Sequence, residues 1–208
     1  MRNILGLLVV VVGLWLQPAV AGGPSRALTA DAAEVFDWVA RSSDNSGLPF
    51  MIIDKRGAHL WVFDRFGQLQ GDAPVLLGSA RGDHTVPGIG DKKLSEIQPD
   101  ERTTPAGRFV AEVGMNARGE DVVWVDYDAA VSMHRVLTTN PKERRSQRLD
   151  TPTPDDNRVS YGCINVPKAF FESVVSSTVS GGNSIVYVLP DSLPLRSVFR
   201  SLAVAVAN

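Results

Sequence analysis

Phe50-Met51-Ile52-Ile53-Asp54, then Lys55-Arg56-Gly57, then His59-Leu60-Trp61-Val62-Phe63-Asp64 is the stretch that decides the fold class. Two runs rich in β-branched and aromatic residues flank a short Gly-containing turn, which is the pattern of a β-hairpin. Outward from it, Arg65-Phe66-Gly67 makes a second turn. Residues 68–80 continue as a meander, with Pro74-Val75-Leu76-Leu77-Gly78 as a strand. Gly107 to Gly114, Val122 to Asp126, Val131 to Val136 and Ser184 to Leu189 read as further short strands. Helical pattern is confined to three places. Ala30 to Arg41 follows Thr29 as cap, with Asp31 in the first turn and Ala33, Phe36 and Val39 on one face. Pro167 to Ser177 is the second, and residues 194–205 are the third. Many short strands, spaced turns and few helices predict a mostly β domain, a sandwich or partly closed barrel with one or two flanking helices.

The N-terminus reads as an export signal. Arg2 supplies a positive start, Ile4 to Leu16 is an apolar run broken only by Gly13, and Ala19-Val20-Ala21 is a small-x-small cleavage site after Pro18. The run is shorter than the about 20 residues of a comfortable membrane span. The competing reading is an uncleaved anchor. Cleavage would remove one charge, Arg2, leaving 20 basic against 23 acidic residues and a formal charge of −3. Such a chain is no polycation for nucleic acid or an anionic membrane surface. The expected division is a signal over 1–21, an extension with one helix over 22–47, one domain over 48–190 and a C-terminal segment over 191–208.

Two long segments interrupt the strand pattern. Residues 81–105 carry Gly82, Pro87, Gly88, Gly90, Pro99 and Pro105; residues 137–159 carry Pro141, Pro152, Pro154 and nine charged residues. Structureless loops of this length are functional or disordered. Both flank the candidate site in sequence, so a lid or substrate wall stands beside two solvated excursions as equal readings.

Cys163 is the only cysteine, in Ser160-Tyr161-Gly162-Cys163-Ile164-Asn165-Val166-Pro167. A lone thiol in an exported chain has no disulfide partner within it, and is either a small buried hydrophobe or a reactive group. A free thiol ionises near 8.5, so a nucleophile needs a neighbour that lowers its pKa or takes its proton. Gly162 permits a tight turn that exposes the sulfur, and amides of Tyr161 to Cys163 could donate to an oxyanion. His134, in Val131-Ser132-Met133-His134-Arg135, is the candidate base. On a strand it shares a face with Ser132, opposite Met133 and Arg135. His59 and His84 are weaker candidates. No two histidines sit at ligand spacing and one cysteine cannot build a structural zinc site, so neither metal nor cofactor is expected.

Met133-His134 followed by Ser160-Tyr161-Gly162-Cys163-Ile164-Asn165 resembles the signature of the L,D-transpeptidase (YkuD) family: an upstream His, then Ser/Thr-His-Gly-Cys, a hydrophobic residue and Asn or Arg. Thr103-Thr104-Pro105-Ala106-Gly107-Arg108-Phe109 resembles its Thr-Pro-x-Gly-x-Phe segment, and Phe50 to Phe63 with Val75 to Gly78 its opening strands. The resemblance implies a YkuD-like catalytic domain over residues 48–190 that remodels peptidoglycan stem peptides. Cys163 would attack the bond after the third stem residue and release D-alanine, and an amine of a second stem would take the acyl group, giving a 3→3 or 1→3 link. His134 would be base and later acid, and Gly162, Tyr161, Ser160 and Arg135 would form the oxyanion hole or orient the imidazole. Met133, Asn165, Arg158 and Arg102 would contact substrate. It also implies sensitivity to carbapenems and a place in the periplasm, with no membrane contact after signal cleavage and the chain acting as a monomer.

Two features depart from that pattern. Tyr161 stands where the family has His, and a phenol of pKa about 10 is no base near neutrality. The interval from His134 to Ser160 is longer, and adds Lys142, Arg144, Arg145, Arg148 and Arg158 against Glu143, Asp150, Asp155 and Asp156. Rival readings are an L,D-carboxypeptidase or amidase with the same Cys-His site, and a non-catalytic wall-binding protein.

Overall fold

A computed structural model describes residues 25–204, so the expected export signal lies outside the described residues. Helix α1 (Ala30–Ser42) begins where the Thr29 side chain accepts from the Ala32 N–H and ends at Ser43, in the left-handed region with φ of 55°. The hairpin is β1 (Phe50–Asp54) and β2 (His59–Phe63). Then come β3 (Leu69–Pro74), β4 (Leu77–Gly78), β5 (Gly107–Met115), β6 (Asp121–Asp126) and β7 (Val131–Arg135). After α2 (Arg145–Asp150) the chain forms β8 (Arg158–Ser160) and β9 (Ile164–Val166). A helical stretch follows, α3 (Lys168–Phe170), a π-helical turn over Phe171–Val175 and α4 (Ser176–Val179). β10 (Ser184–Val188), α5 (Leu195–Val198) and α6 (Arg200–Val204) complete it.

Eight strands form one sheet in the order β3-β2-β1-β10-β5-β6-β7-β9, with β1–β10 and β7–β9 parallel and the rest antiparallel. Its two edges meet. Leu76, just past β3 on one edge, exchanges both backbone hydrogen bonds with Asn165 of β9 on the other, at 2.8 and 2.9 Å. Beside this seam β4 pairs in parallel with β8. The mostly β expectation holds.

Each hairpin strand buries both faces. Met51, Ile53, Leu60 and Val62 face the inner core with Val186, Val188, Met133, Ile164 and Phe171. Phe50, Ile52, Trp61 and Phe63 face the other way, under Val35, Trp38 and Val39 of α1 and Phe199 and Leu202 near the C-terminus. Double cover is why these strands read as apolar runs without polar alternation. The helical cover stops at β10, and the same outer face of β5 leaves Val110 51% exposed.

Three expectations need correction. The strand expected over 74–78 is divided: Leu69–Pro74 pairs with β2, and the chain then leaves that edge at Val75 to reach the seam. Residues 81–105 and 137–159 are not structureless, since the first holds 3-10 turns at Ile89–Asp91, Leu94–Glu96 and Pro99–Glu101 and the second holds α2. The terminal helix breaks at Phe199, which turns into the outer core.

The 81–105 segment is held by a buried charge. Lys55, the first residue of the hairpin turn, is fully buried, and its ammonium donates to the Gly82 carbonyl (2.6 Å), Asp83 Oδ1 (2.9 Å) and the Thr104 carbonyl (2.8 Å). Burial lowers the pKa of Lys55, against its bond to Asp83. Burial pushes Asp83 up, but Lys55 and the N–H groups of Asp191, Ser192 and Leu193 outweigh it and hold the carboxyl at about 2, against an ordinary 3.8. Asp191 in turn takes both arms of Arg158, at 2.6 and 3.0 Å.

Removing one member of such a set leaves a buried charge uncompensated, at about 3–5 kcal/mol. Lys55→Ala is expected to cost stability on that scale in a urea titration, whereas the exposed Lys93→Ala is expected to change it by less than about 0.5 kcal/mol. The depressed Asp83 carboxyl contributes stability that is present above pH 3.8 and is lost as pH falls toward 2. Unfolding midpoints measured across that window should show wild type losing stability where Asp83→Asn does not.

Candidate active site

Cys163 sits on the turn between β8 and β9, against the seam. Gly162 has φ of 132°, and a Cβ there would stand 2.8 Å from the Thr103 carbonyl oxygen, so the turn requires glycine. The Thr104 hydroxyl donates to the Gly162 carbonyl (2.7 Å) and accepts from the Gly78 N–H (2.9 Å). On the other side the Ser160 hydroxyl donates to the Cys163 carbonyl (2.6 Å) and accepts from the Gly162 N–H (3.1 Å). The turn is thus clamped by the Thr103-Thr104 segment that Lys55 anchors.

Strand β7 brings the imidazole. Val131 and Met133 point into the inner core, so Ser132 and His134 face the thiol. Ser132 Oγ donates to the sulfur at 3.8 Å, and the thiol reaches the Ala130 carbonyl at 3.6 Å. Burial pushes the Cys163 thiol up, but the neighbouring His134 imidazole, then Ser132, outweigh it, and its pKa is lowered from the ordinary value. His134 Nδ1 lies 2.8 Å from the Arg135 carbonyl. A carbonyl only accepts, so Nδ1 carries the proton and Nε2 is left as the acceptor. Neither the Tyr161 nor the Cys163 N–H has an acceptor among the described residues. A half-buried thiol with lowered pKa, a base of fixed tautomer and two free N–H groups on one turn suit attack on a carbonyl.

Several expected site residues have other occupations. The Gly162 N–H is taken by Ser160, which removes it as an oxyanion donor. Met133 is fully buried in the inner core and cannot touch substrate without unpacking it. Asn165 is also fully buried; its Nδ2 donates to the Cys163 carbonyl (3.3 Å) and its Oδ1 accepts from Arg145 (2.6 Å), so it supports the turn. Arg158 is spent on Asp191 and the Lys55 carbonyl. Arg135 pairs with Asp121 and Glu172, and only its carbonyl serves the imidazole. Arg102 lies with its guanidinium 4.2 Å over the exposed Tyr161 ring. His59 is bound to Asp72 at 2.7 Å and His84 is exposed.

Ser132, Thr104 and Arg145 were not singled out by sequence. Ser132 had a signal, two residues before His134 on the same strand face. Arg145 had none, since only the folded 137–159 segment brings it to Asn165. Beside the thiol, His134 also lines a cleft of about 360 Å3 with Arg135, Lys168, Glu120, Asp121 and Glu172.

No family model and no curated protein matches the chain. Solved structures do. The catalytic domain of an L,D-transpeptidase from E. faecium is similar at 16% identity, over 68% of this chain and 96% of that one, with a TM-score of 0.37. An L,D-transpeptidase in complex with imipenem is similar at 17% identity, over 68% of this chain and 58% of that one, with a TM-score of 0.36. The helical cell shape determining protein Pgp2 from Campylobacter jejuni is similar at 14% identity, over 77% of this chain and 56% of that one, with a TM-score of 0.46. The chain thus matches little more than half the length of the last two. Two of the three carry the name of the family that the motifs resemble.

The geometry sets the pH dependence of the thiol. Alkylation of Cys163 by iodoacetamide, followed by intact mass, should show a rate midpoint below that of free cysteine. In His134→Ala and Ser132→Ala burial acts without its counterweight, so the midpoint should rise; an unmoved midpoint in His134→Ala refutes the pairing.

Proposed function

We propose that this chain is a cysteine L,D-transpeptidase, exported to the periplasm, that acts on peptidoglycan stem peptides. The observation that carries this reading is Cys163 beside His134, whose Nδ1 is held by the Arg135 carbonyl, on a turn with two free N–H groups. The motif resemblance supplies the substrate class.

His134 takes the thiol proton at Nε2, and Cys163 Sγ attacks the carbonyl of the third residue of a donor tetrapeptide. The oxyanion accepts from the Tyr161 and Cys163 N–H groups, two donors in place of the three expected. The intermediate collapses with cleavage of the C–N bond, His134 protonates the departing D-alanine amine, and a thioester remains. An amine of a second stem then attacks the thioester, its proton passes to His134, the new amide forms and the thiolate leaves. Tyr161 takes no proton in this scheme; its ring carries the Arg102 guanidinium, a cation suited to the carboxylates of stem peptides.

Incubating the mature chain with disaccharide-tetrapeptide and weighing the products tests the reading. A cross-linked dimer lighter than two tetrapeptides by one D-alanine molecule is the expected product, abolished in Cys163→Ala and slowed about 10²- to 10⁴-fold in His134→Ala. Loss of D-alanine with uptake of water and no dimer would make the enzyme an L,D-carboxypeptidase. A carbapenem should leave one adduct, absent from Cys163→Ala. No adduct and no product from wild type would assign the chain to non-catalytic wall binding.

A further inference from the structure

Beyond the thiol, one open groove of about 480 Å3 lies on the outer face of β5 and β6, lined by Val110, Glu112, Gly114, Met115, Trp124 and Tyr127 among others. Strand register connects it to the site. Glu112 stands opposite Trp124 across β5–β6, and Trp124 stands opposite Ser132 across β6–β7. Directly opposed residues share a face at a Cβ separation of about 5 Å. Ser132 is the residue that donates to the Cys163 sulfur. Glu112, Trp124, Ser132 and Cys163 therefore form one row across the sheet, on the part of the outer face that the helices leave open.

The row has a specific chemistry. A Cβ on Gly114 would come within 2.8 Å of Trp124 Cδ1, so glycine lets the indole lie down along the sheet. Tyr127, 77% exposed, meets that ring edge-on at a centroid distance of 5.2 Å. Tyr127 belongs to the turn whose Ala130 carbonyl touches the thiol. Glu112 is exposed and has no salt-bridge partner among the described residues, and it is the one formal charge of the groove lining. A lone carboxylate beside aromatic faces and aliphatic walls is complementary to a primary ammonium on an alkyl stem. The ring faces and the carboxylate attract the cation while Val110 and Met115 cover methylenes.

We propose that this groove captures the acceptor as its alkylammonium form. This rests on the transpeptidase reading and adds to it the residues that select an amine over water. Glu112 lies two strand spacings, about 10 Å, from Ser132. Capture there is non-covalent and precedes reaction. The amine must leave Glu112 and lose its proton before it can attack the thioester at Cys163.

The test has a binding arm and a product arm. In the binding arm, Nα-acetyl-lysine amide is titrated into the mature wild-type chain while the Trp124 indole N–H resonance, assigned through Trp124→Phe, is followed. The expected result is a saturable shift, absent with the neutral Nα-acetyl-norleucine amide and weakened about tenfold in Glu112→Gln. In the product arm, the ratio of cross-linked to hydrolysed product should fall by a similar factor in Glu112→Gln, with KM for the acceptor raised. No shift with the lysine probe, an equal shift with norleucine, or an unchanged product ratio overturns the proposal. So does a shift of the same resonance by an N-acetylglucosamine oligomer alone, or by raising protein concentration alone, which would give the face to glycan or to a second copy. Failure of the wild type to form any acyl-enzyme overturns the transpeptidase reading instead, and the binding arm then decides the groove by itself.

Discussion

The Lys55 ammonium holds the structure around the site together. It is wholly removed from water, and each of its three hydrogens has an acceptor. Such a group is tolerated only if its partners are present and well placed. Those partners are drawn from distant parts of the chain: Asp83 from one long segment, Thr104 from the end of it, and Asp191 and Arg158 one bond further out. Thr104 links this charge to the Cys163 turn, because its carbonyl takes the ammonium while its hydroxyl holds the Gly162 carbonyl. The turn that carries the sulfur is held in part by a cation that does not itself touch it.

The same logic separates two kinds of residue around the thiol. Ser160, Asn165, Thr104 and Gly162 shape the turn, and their polar groups are consumed in doing so. Ser132 and His134 act on the sulfur itself, and the net effect on its ionisation is theirs against burial. Arg102 and Tyr161 form the outer rim. A tyrosine at this position leaves His134 as the imidazole beside the thiol, its Nδ1 held by the Arg135 carbonyl.

The hairpin was legible because both its strands are apolar on both faces, and the helix cap at Thr29 because one hydroxyl next to an acidic first turn is a local signal. Pairing of His134 with Cys163 had only the motif to suggest it, since they lie 29 positions apart in the chain. What escaped was non-local. Val75 leaving the meander for the seam, Arg145 reaching Asn165, and Arg158 turning inward to Asp191 depend on where distant segments come to rest. Met133 was misjudged for the opposite reason: strand alternation already placed it opposite His134, on the side that became the core.

The seam has a consequence for the order of events. Leu76 and Asn165 are 89 positions apart, and their paired bonds form only after edge strand β9 has been added to the sheet. Closing so long a loop is entropically late in folding. Until it closes, the sulfur has neither its turn nor its imidazole, and its pKa stays that of an ordinary thiol. The lowered thiol pKa is thereby a property of the finished barrel, so a chain still emerging or partly folded carries a cysteine that ionises like any other and is comparatively inert toward electrophiles around it.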